Sequence, residues 1–153
     1  MKRGEPIDSV DSLVQRARLN PADESVRSAL DRAATDGSRL AAAYLGMAWS
    51  EGWGFPRDEE KAHRYFELAC KLGDAASCNL AGNDYEKGSG VGRDEVKAVS
   101  RFVSACDLGD AFAALRLASV YSFGELGQQI DPEKAKHYFE LSDRLRRRGD
   151  GTS

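Results

Sequence analysis

The sequence predicts an all-α solenoid of about eight helices stacked as antiparallel pairs. Three observations carry that expectation. Leu72-Gly73-Asp74 and Leu108-Gly109-Asp110 lie 36 residues apart, and Asp36-Gly37-Ser38 sits one period upstream. Between these marks the same residue types recur in the same order. Gly46 aligns with Gly82 and Ala118, and Trp49 with Tyr85 and Tyr121. Asp58, Lys61 and Ala62 align with Asp94, Lys97 and Ala98, and Phe66, Ala69 and Cys70 with Phe102, Ala105 and Cys106. Within each period, apolar residues fall at i, i+3, i+4 and i+7, the spacing of one helix face. A single helix pair of this length cannot bury its apolar stripe, whereas stacked pairs can.

Residues 1–37 read as a divergent capping pair. A helix over 8–19 presents Val10, Leu13, Val14 and Ala17. Asn20 then caps a helix opened by Pro21, with Asp23 and Glu24 in its first turn and Val26, Ala29, Leu30 and Ala33 as its stripe. Terminal pairs depart from the repeat because one side faces water. Three repeats follow at 38–73, 74–109 and 110–149, and residues 150–153 form a tail expected to fray.

The first helix of each repeat spans 38–51, 75–87 and 111–123. Gly46 and Gly82 lie inside these helices, where Gly costs ~1 kcal/mol relative to Ala. A close helix crossing explains them, and Ala118 meets the same steric demand. The second helices span 58–71, 94–107 and 131–147. Asp58, Asp94 and Asp131 stand at their starts, where a carboxylate accepts orphan N–H groups and favours the positive helix end. Pro132 takes a first helical position. Ala62, Tyr65, Phe66 and Ala69 form the stripe. Ala98, Phe102 and Ala105 repeat it with Arg101 in place of the Tyr, and Ala135, Tyr138, Phe139 and Ser142 renew it. Gly73, Gly109 and Gly149 suit left-handed C-terminal caps. The third copy carries one extra residue between its helices, in Gly124–Ile130.

At 41% hydrophobic and 31% charged, the 153-residue chain has the balance of a folded, water-exposed protein. Its net charge of -3 gives no reason to expect nucleic-acid or anionic-membrane partners. No apolar run approaches the roughly 18 residues that span a bilayer. Met1–Asp8 has two basic residues but no apolar stretch of the secretory kind. The three cysteines fit a reducing cytosol better than a disulfide scaffold. The expected location is the cytoplasm, the expected state a monomer, and no cofactor is expected.

Candidate chemistry dissolves into the repeat. Gly88-Ser89-Gly90-Val91-Gly92 lacks the preceding strand and the Lys-Ser/Thr of a phosphate loop, and it aligns with the turn at Gly52-Trp53-Gly54. His63 and His137 have no zinc-motif spacing to the cysteines and are expected on the surface. His63 and Cys70 are about two turns apart on one helix, ~10 Å along its axis, too far for a nucleophile and its base. Cys106 lies a full repeat from Cys70, too far for a shared metal. Arg144, Arg146, Arg147 and Arg148 read as a solvated last turn whose cations favour the negative helix end. No catalytic or metal-binding residue is therefore assigned.

The first copy reads Ala41, Leu45-Gly46, Trp49, Gly52-Trp53-Gly54-Phe55, Asp58, Lys61-Ala62, Tyr65-Phe66, Ala69-Cys70 and Gly73. The second reads Ala81-Gly82, Tyr85, Gly88-Ser89-Gly90-Val91, Asp94, Lys97-Ala98, Phe102, Ala105-Cys106 and Gly109. Over about residues 37–145 this pattern resembles the Sel-1-like repeat family, a branch of the tetratricopeptide superfamily. Cys70 and Cys78, eight apart across a helix–helix turn, are similar to the bridged pairs of its cysteine-rich bacterial subgroup. Cys106 has Ala114 where its partner would stand. The resemblance thus implies a Cys70–Cys78 disulfide, whereas a cytoplasmic location implies free thiols. A loop this short gains little stability from closure.

The resemblance further implies a right-handed α/α superhelix whose first helices line a concave, partner-binding surface. Positions that change between repeat landmarks are the expected contacts: Ala43, Asn79 and Leu115 at one, Met47, Asn83 and Ser119 at another. Glu86 and Arg116 add charge nearby, and Phe123 and Trp53 are candidate aromatic anchors. The implied role is a non-catalytic adaptor or scaffold for another protein or peptide, regulatory or a neutralising partner of a secreted effector. The alternative is an enzyme with an unrecognised thiol-based or hydrolase site.

Overall fold

The computed structural model describes residues 8–151. The readings of residues 1–7 and of the last two tail residues lie outside the described residues. Eight helices follow in order: α1 (Val10–Leu19), α2 (Glu24–Thr35), α3 (Arg39–Glu51), α4 (Glu59–Lys71), α5 (Ala75–Lys87), α6 (Glu95–Asp107), α7 (Ala111–Phe123) and α8 (Pro132–Gly149). No strand occurs among the described residues. The helices pack as α1–α2, α3–α4, α5–α6 and α7–α8, and successive pairs join through α2–α3, α4–α5 and α6–α7.

The acidic helix starts work as expected. The carboxylates of Asp58, Asp94 and Asp131 accept the backbone N–H of Lys61, Lys97 and Lys134 at 3.0, 2.9 and 3.0 Å. Each such cap is worth about 1 kcal/mol. At the other end, the N–H of Gly73 bonds the carbonyl of Cys70 at 3.0 Å and that of Asp74 bonds Ala69 at 2.9 Å. Gly73 reaches this geometry with φ +93 and Gly109 with φ +99, which a Cβ would oppose.

Two boundaries differ from expectation. α2 starts at Glu24, capped by Asp23, whose carboxylate takes the N–H of Ser25 at 3.0 Å and of Val26 at 3.2 Å. Asn20 instead closes α1, and Pro21 lies in the turn between them. Gly149 is the last residue of α8 and Gly151 takes the left-handed conformation.

Two close approaches set the stack. Within a repeat, a Cβ at Gly46 would stand 2.6 Å from the Phe66 ring, and one at Gly82 2.7 Å from Phe102. The predicted crossing is therefore helix against ring. In the third repeat Ala118 fills that space, and Phe139 is left 48% exposed where Phe102 is fully buried. Between repeats, a Cβ at Gly54 would stand 2.2 Å from the carbonyl oxygen of Pro21, and one at Gly90 2.1 Å from that of Glu59. The turn of each repeat thus rests on the start of the preceding second helix. Leu126 occupies the matching place in the third copy, left-handed at φ 52 and with its side chain in the core. The extra residue of this loop, Gly127, then approaches Glu95.

Candidate interaction surface

Some expected contact residues are spent on holding the layers together. Arg116 of α7 makes a two-point ion pair with Glu86 of α5 and a further bond to Glu125. The Glu86 hydrogen bond is the main reason that the Arg116 guanidinium holds its proton more tightly than usual, against the effect of partial burial. Ser119 reaches Glu125 at 3.5 Å. Glu86, Arg116 and Ser119 are therefore one bonded cluster rather than free charges. One layer earlier, Arg101 grips Glu67 at 2.6 and 2.8 Å. Burial pushes the Glu67 carboxyl up, but the bonds and charge of Arg101 outweigh it and hold the group below the usual range.

His63 was expected on the surface and is buried. Its Nδ1 lies 3.0 Å from Asp84 Oδ2, and its ring meets Tyr85 edge-on at 4.8 Å between centroids. Both partners belong to α5, which covers this face of α4. His137 is exposed, with its ring against Tyr138. Among the described residues no three His, Cys, Asp or Glu side chains cluster closely enough to hold a metal.

What remains open lies on the solvent-exposed faces of α3, α5 and α7. On α3, Leu40, Ala43 and Met47 line a groove of about 210 Å³ together with Val14 and Arg18 of α1, Tyr44 and Trp53. A second groove of about 240 Å³, at Arg18, Pro21, Tyr44 and Trp53, adjoins it. Trp53 combines its two expected roles: it packs against Tyr44 at 5.7 Å and is still 39% exposed. On α5, Asn79 and Asn83 are half-buried, one turn apart, and their side chains have no hydrogen-bond partner among the described residues. On α7, Leu115 and Phe123 are 41% and 72% exposed. Phe112 is 74% exposed on the same face and escaped the sequence reading. Its signal was there: it holds the register of Leu40 and Ala76, one turn before the variable positions that drew attention.

The sequence profile of the Sel1 repeat matches residues 40–74, 75–110 and 111–142. The chain belongs to the Sel1 repeat family. Among solved structures, a Sel1 repeat protein from Oxalobacter formigenes superposes with a TM-score of 0.77 at 24% identity, over 89% of this chain and 58% of that one. The protein c5321, described as a protective antigen of uropathogenic Escherichia coli strains with this fold, gives 0.78 at 26%, over 88% of this chain and 29% of that one. The cysteine-rich protein B of Helicobacter pylori gives 0.59 at 31%, over 68% and 77%. The chain thus spans about three fifths and three tenths of the first two relatives. No curated protein sequence matches it.

In this Sel1 chain, Cys70 and Cys78 are joined as a disulfide across the α4–α5 turn. The structure therefore departs from the free-thiol alternative. Cys106 is unpaired and buried in the core, and burial, with Asp110 and Asp107 adding to it, pushes its thiol up to about 12. A nucleophilic cysteine needs the opposite shift. Thiol titration of the native chain should count no reactive group; unfolding without reductant should release one, and unfolding with reductant three. Two fast-reacting thiols in the native chain would contradict the bridge.

Proposed function

We propose that this protein binds a segment of another protein along the exposed faces of the first helices α3, α5 and α7, the expected concave side, without catalysing a reaction. Sel1 repeats are generally protein–protein interaction scaffolds. One observation carries the finer reading: three successive first helices present, on the corresponding face of each repeat, an apolar groove at Leu40 and Met47, the unpartnered amides of Asn79 and Asn83, and the apolar side chains of Phe112 and Leu115 with Phe123 two turns further on. Large exposed apolar groups on rigid elements supply binding energy. Paired amides supply the donors and acceptors that an extended or helical backbone end leaves unmet. The matching segment carries apolar side chains at both ends and a polar middle. No helix among the described residues is long and apolar enough to cross a membrane. The bridge between Cys70 and Cys78 supports work in an oxidising compartment, against the cytoplasmic expectation.

Selection of peptides from a displayed library against the native chain tests this. Selected peptides should lose at least about tenfold in affinity to Met47→Asp and to Leu115→Asp, which remove the apolar sites at the two ends. Both variants should keep the native circular dichroism spectrum. Peptides that bind both variants as tightly as the native chain would place the binding surface elsewhere.

A further inference from the structure

The Sel1 profile begins at residue 40, so α1 lies outside the matched repeats. Its register nevertheless follows theirs. Ser9, Ser38, Asp74 and Asp110 each cap a first helix by accepting the backbone N–H three residues on. Counted from these caps, Val14 and Arg18 of α1 hold the places of Ala43 and Met47 on α3 and of Asn79 and Asn83 on α5. α1 therefore adds a fourth helix to the partner-binding face. The two grooves at Trp53 lie between α1, α3 and the turns that follow them.

These grooves, of about 240 and 210 Å³, are apolar but for two groups. Arg18 is exposed and makes no ion pair or hydrogen bond among the described residues. Tyr44 is buried, yet its hydroxyl also has no hydrogen-bond partner among them. The two groups are near enough that the Arg18 charge offsets part of the rise that burial gives the Tyr44 pKa. No acidic side chain lines either groove. The third repeat offers the contrast. Arg116 stands at the Tyr44 position of α7 and Glu125 at the Trp53 position, and Arg116 is held by the carboxylates of Glu86 and Glu125. There the chain supplies acid to its own arginine, and at Arg18 it does not.

We infer that the α1–α3 groove takes an Asp or Glu side chain of the bound protein segment, with a large apolar side chain beside it. The Arg18 guanidinium and the Tyr44 hydroxyl donate to the carboxylate. Leu40, Met47 and the Trp53 ring cover the apolar neighbour. Arg18 is the sole cation lining the grooves, which suits one carboxylate rather than a doubly charged phosphoryl group. The inference rests on the proposed binding surface and fixes the chemistry of one end of its segment.

Random peptides displayed between two flanking domains, so that no free C-terminus is offered, are selected on the full chain and then synthesised with both ends blocked. Those weakened by Met47→Asp and Leu115→Asp occupy the proposed surface. Each should contain an Asp or Glu whose change to Asn or Gln weakens binding at least about tenfold. Arg18→Gln should cost as much, and the two changes together little more than either. Tyr44→Phe should weaken binding at least about threefold through the lost hydroxyl. Arg18 is exposed and Tyr44→Phe keeps the ring, so both variants should keep the native circular dichroism spectrum. Peptides that need Met47 and Leu115 but contain no such acid, that bind Arg18→Gln as tightly as the native chain, or whose two losses add in full would overturn the inference and leave the surface standing. Peptides indifferent to Met47→Asp and Leu115→Asp, or a library that yields none, would overturn both.

Discussion

Gly90→Ala should cost at least about 3 kcal/mol of stability, well beyond the about 1–2 kcal/mol expected of Gly37→Ala. Both glycines are left-handed, at φ +66 and φ +100, so both substitutions carry the backbone strain of an L side chain there. Only one meets an obstacle. A Cβ at Gly37 finds nothing within 4 Å, whereas one at Gly90 lies 2.1 Å from the carbonyl oxygen of Glu59 and 2.7 Å from the amide nitrogen of Glu60. These atoms belong to the start of α4, so they cannot move without lifting one repeat off the next. Gly54→Ala should behave like Gly90→Ala, because its Cβ would lie 2.2 Å from the carbonyl oxygen of Pro21. Urea unfolding followed by circular dichroism measures the differences. Losses at positions 37 and 90 that agree within about 0.5 kcal/mol would mean that strain alone explains both and that the turn does not hold the layers together.

The contrast between these glycines also marks what the sequence could convey. A left-handed residue after a helix leaves a local signal, so Gly73 and Gly109 were legible as caps. The small residue at Gly46 and Gly82 was legible as a close crossing because it recurs inside a helix, where it needs a reason. Gly54 and Gly90 read only as turn residues, since their obstacle is the backbone of the preceding repeat. Asn20 and Asp23 have the same capping chemistry, and only the finished turn decides between them. His63 sits among Lys61 and Arg64 and looks solvated; Asp84 and Tyr85, which bury it, arrive with the next layer. Glu86 and Arg116 looked like free charge for the same reason, being 30 residues apart yet bonded. For the surface itself, alignment of the copies picked out Ala43, Met47, Asn79, Asn83 and Leu115, but a pattern of variation does not tell a contact from a bond within the fold.

Phe102 and Phe139 hold the same repeat position and should respond to truncation with very different losses. Phe102 is fully buried among the apolar residues of α5, α6 and α7, and its ring lies against Gly82. Phe102→Ala removes the ring and leaves a cavity between two rigid layers, at a cost of about 3–5 kcal/mol. Phe139→Ala removes a ring that is 48% exposed, and no described helix beyond it is left unsupported. Its cost to the single chain should stay under about 1 kcal/mol. The difference arises from one methyl group and one packing layer: Ala118 denies Phe139 the place that Gly82 gives Phe102, and among the described residues no helix covers α8 as α7 covers α6. Thermal and urea unfolding of both variants, compared with the native chain, read the two costs directly. Equal losses would show that the Phe139 ring is as firmly packed as that of Phe102.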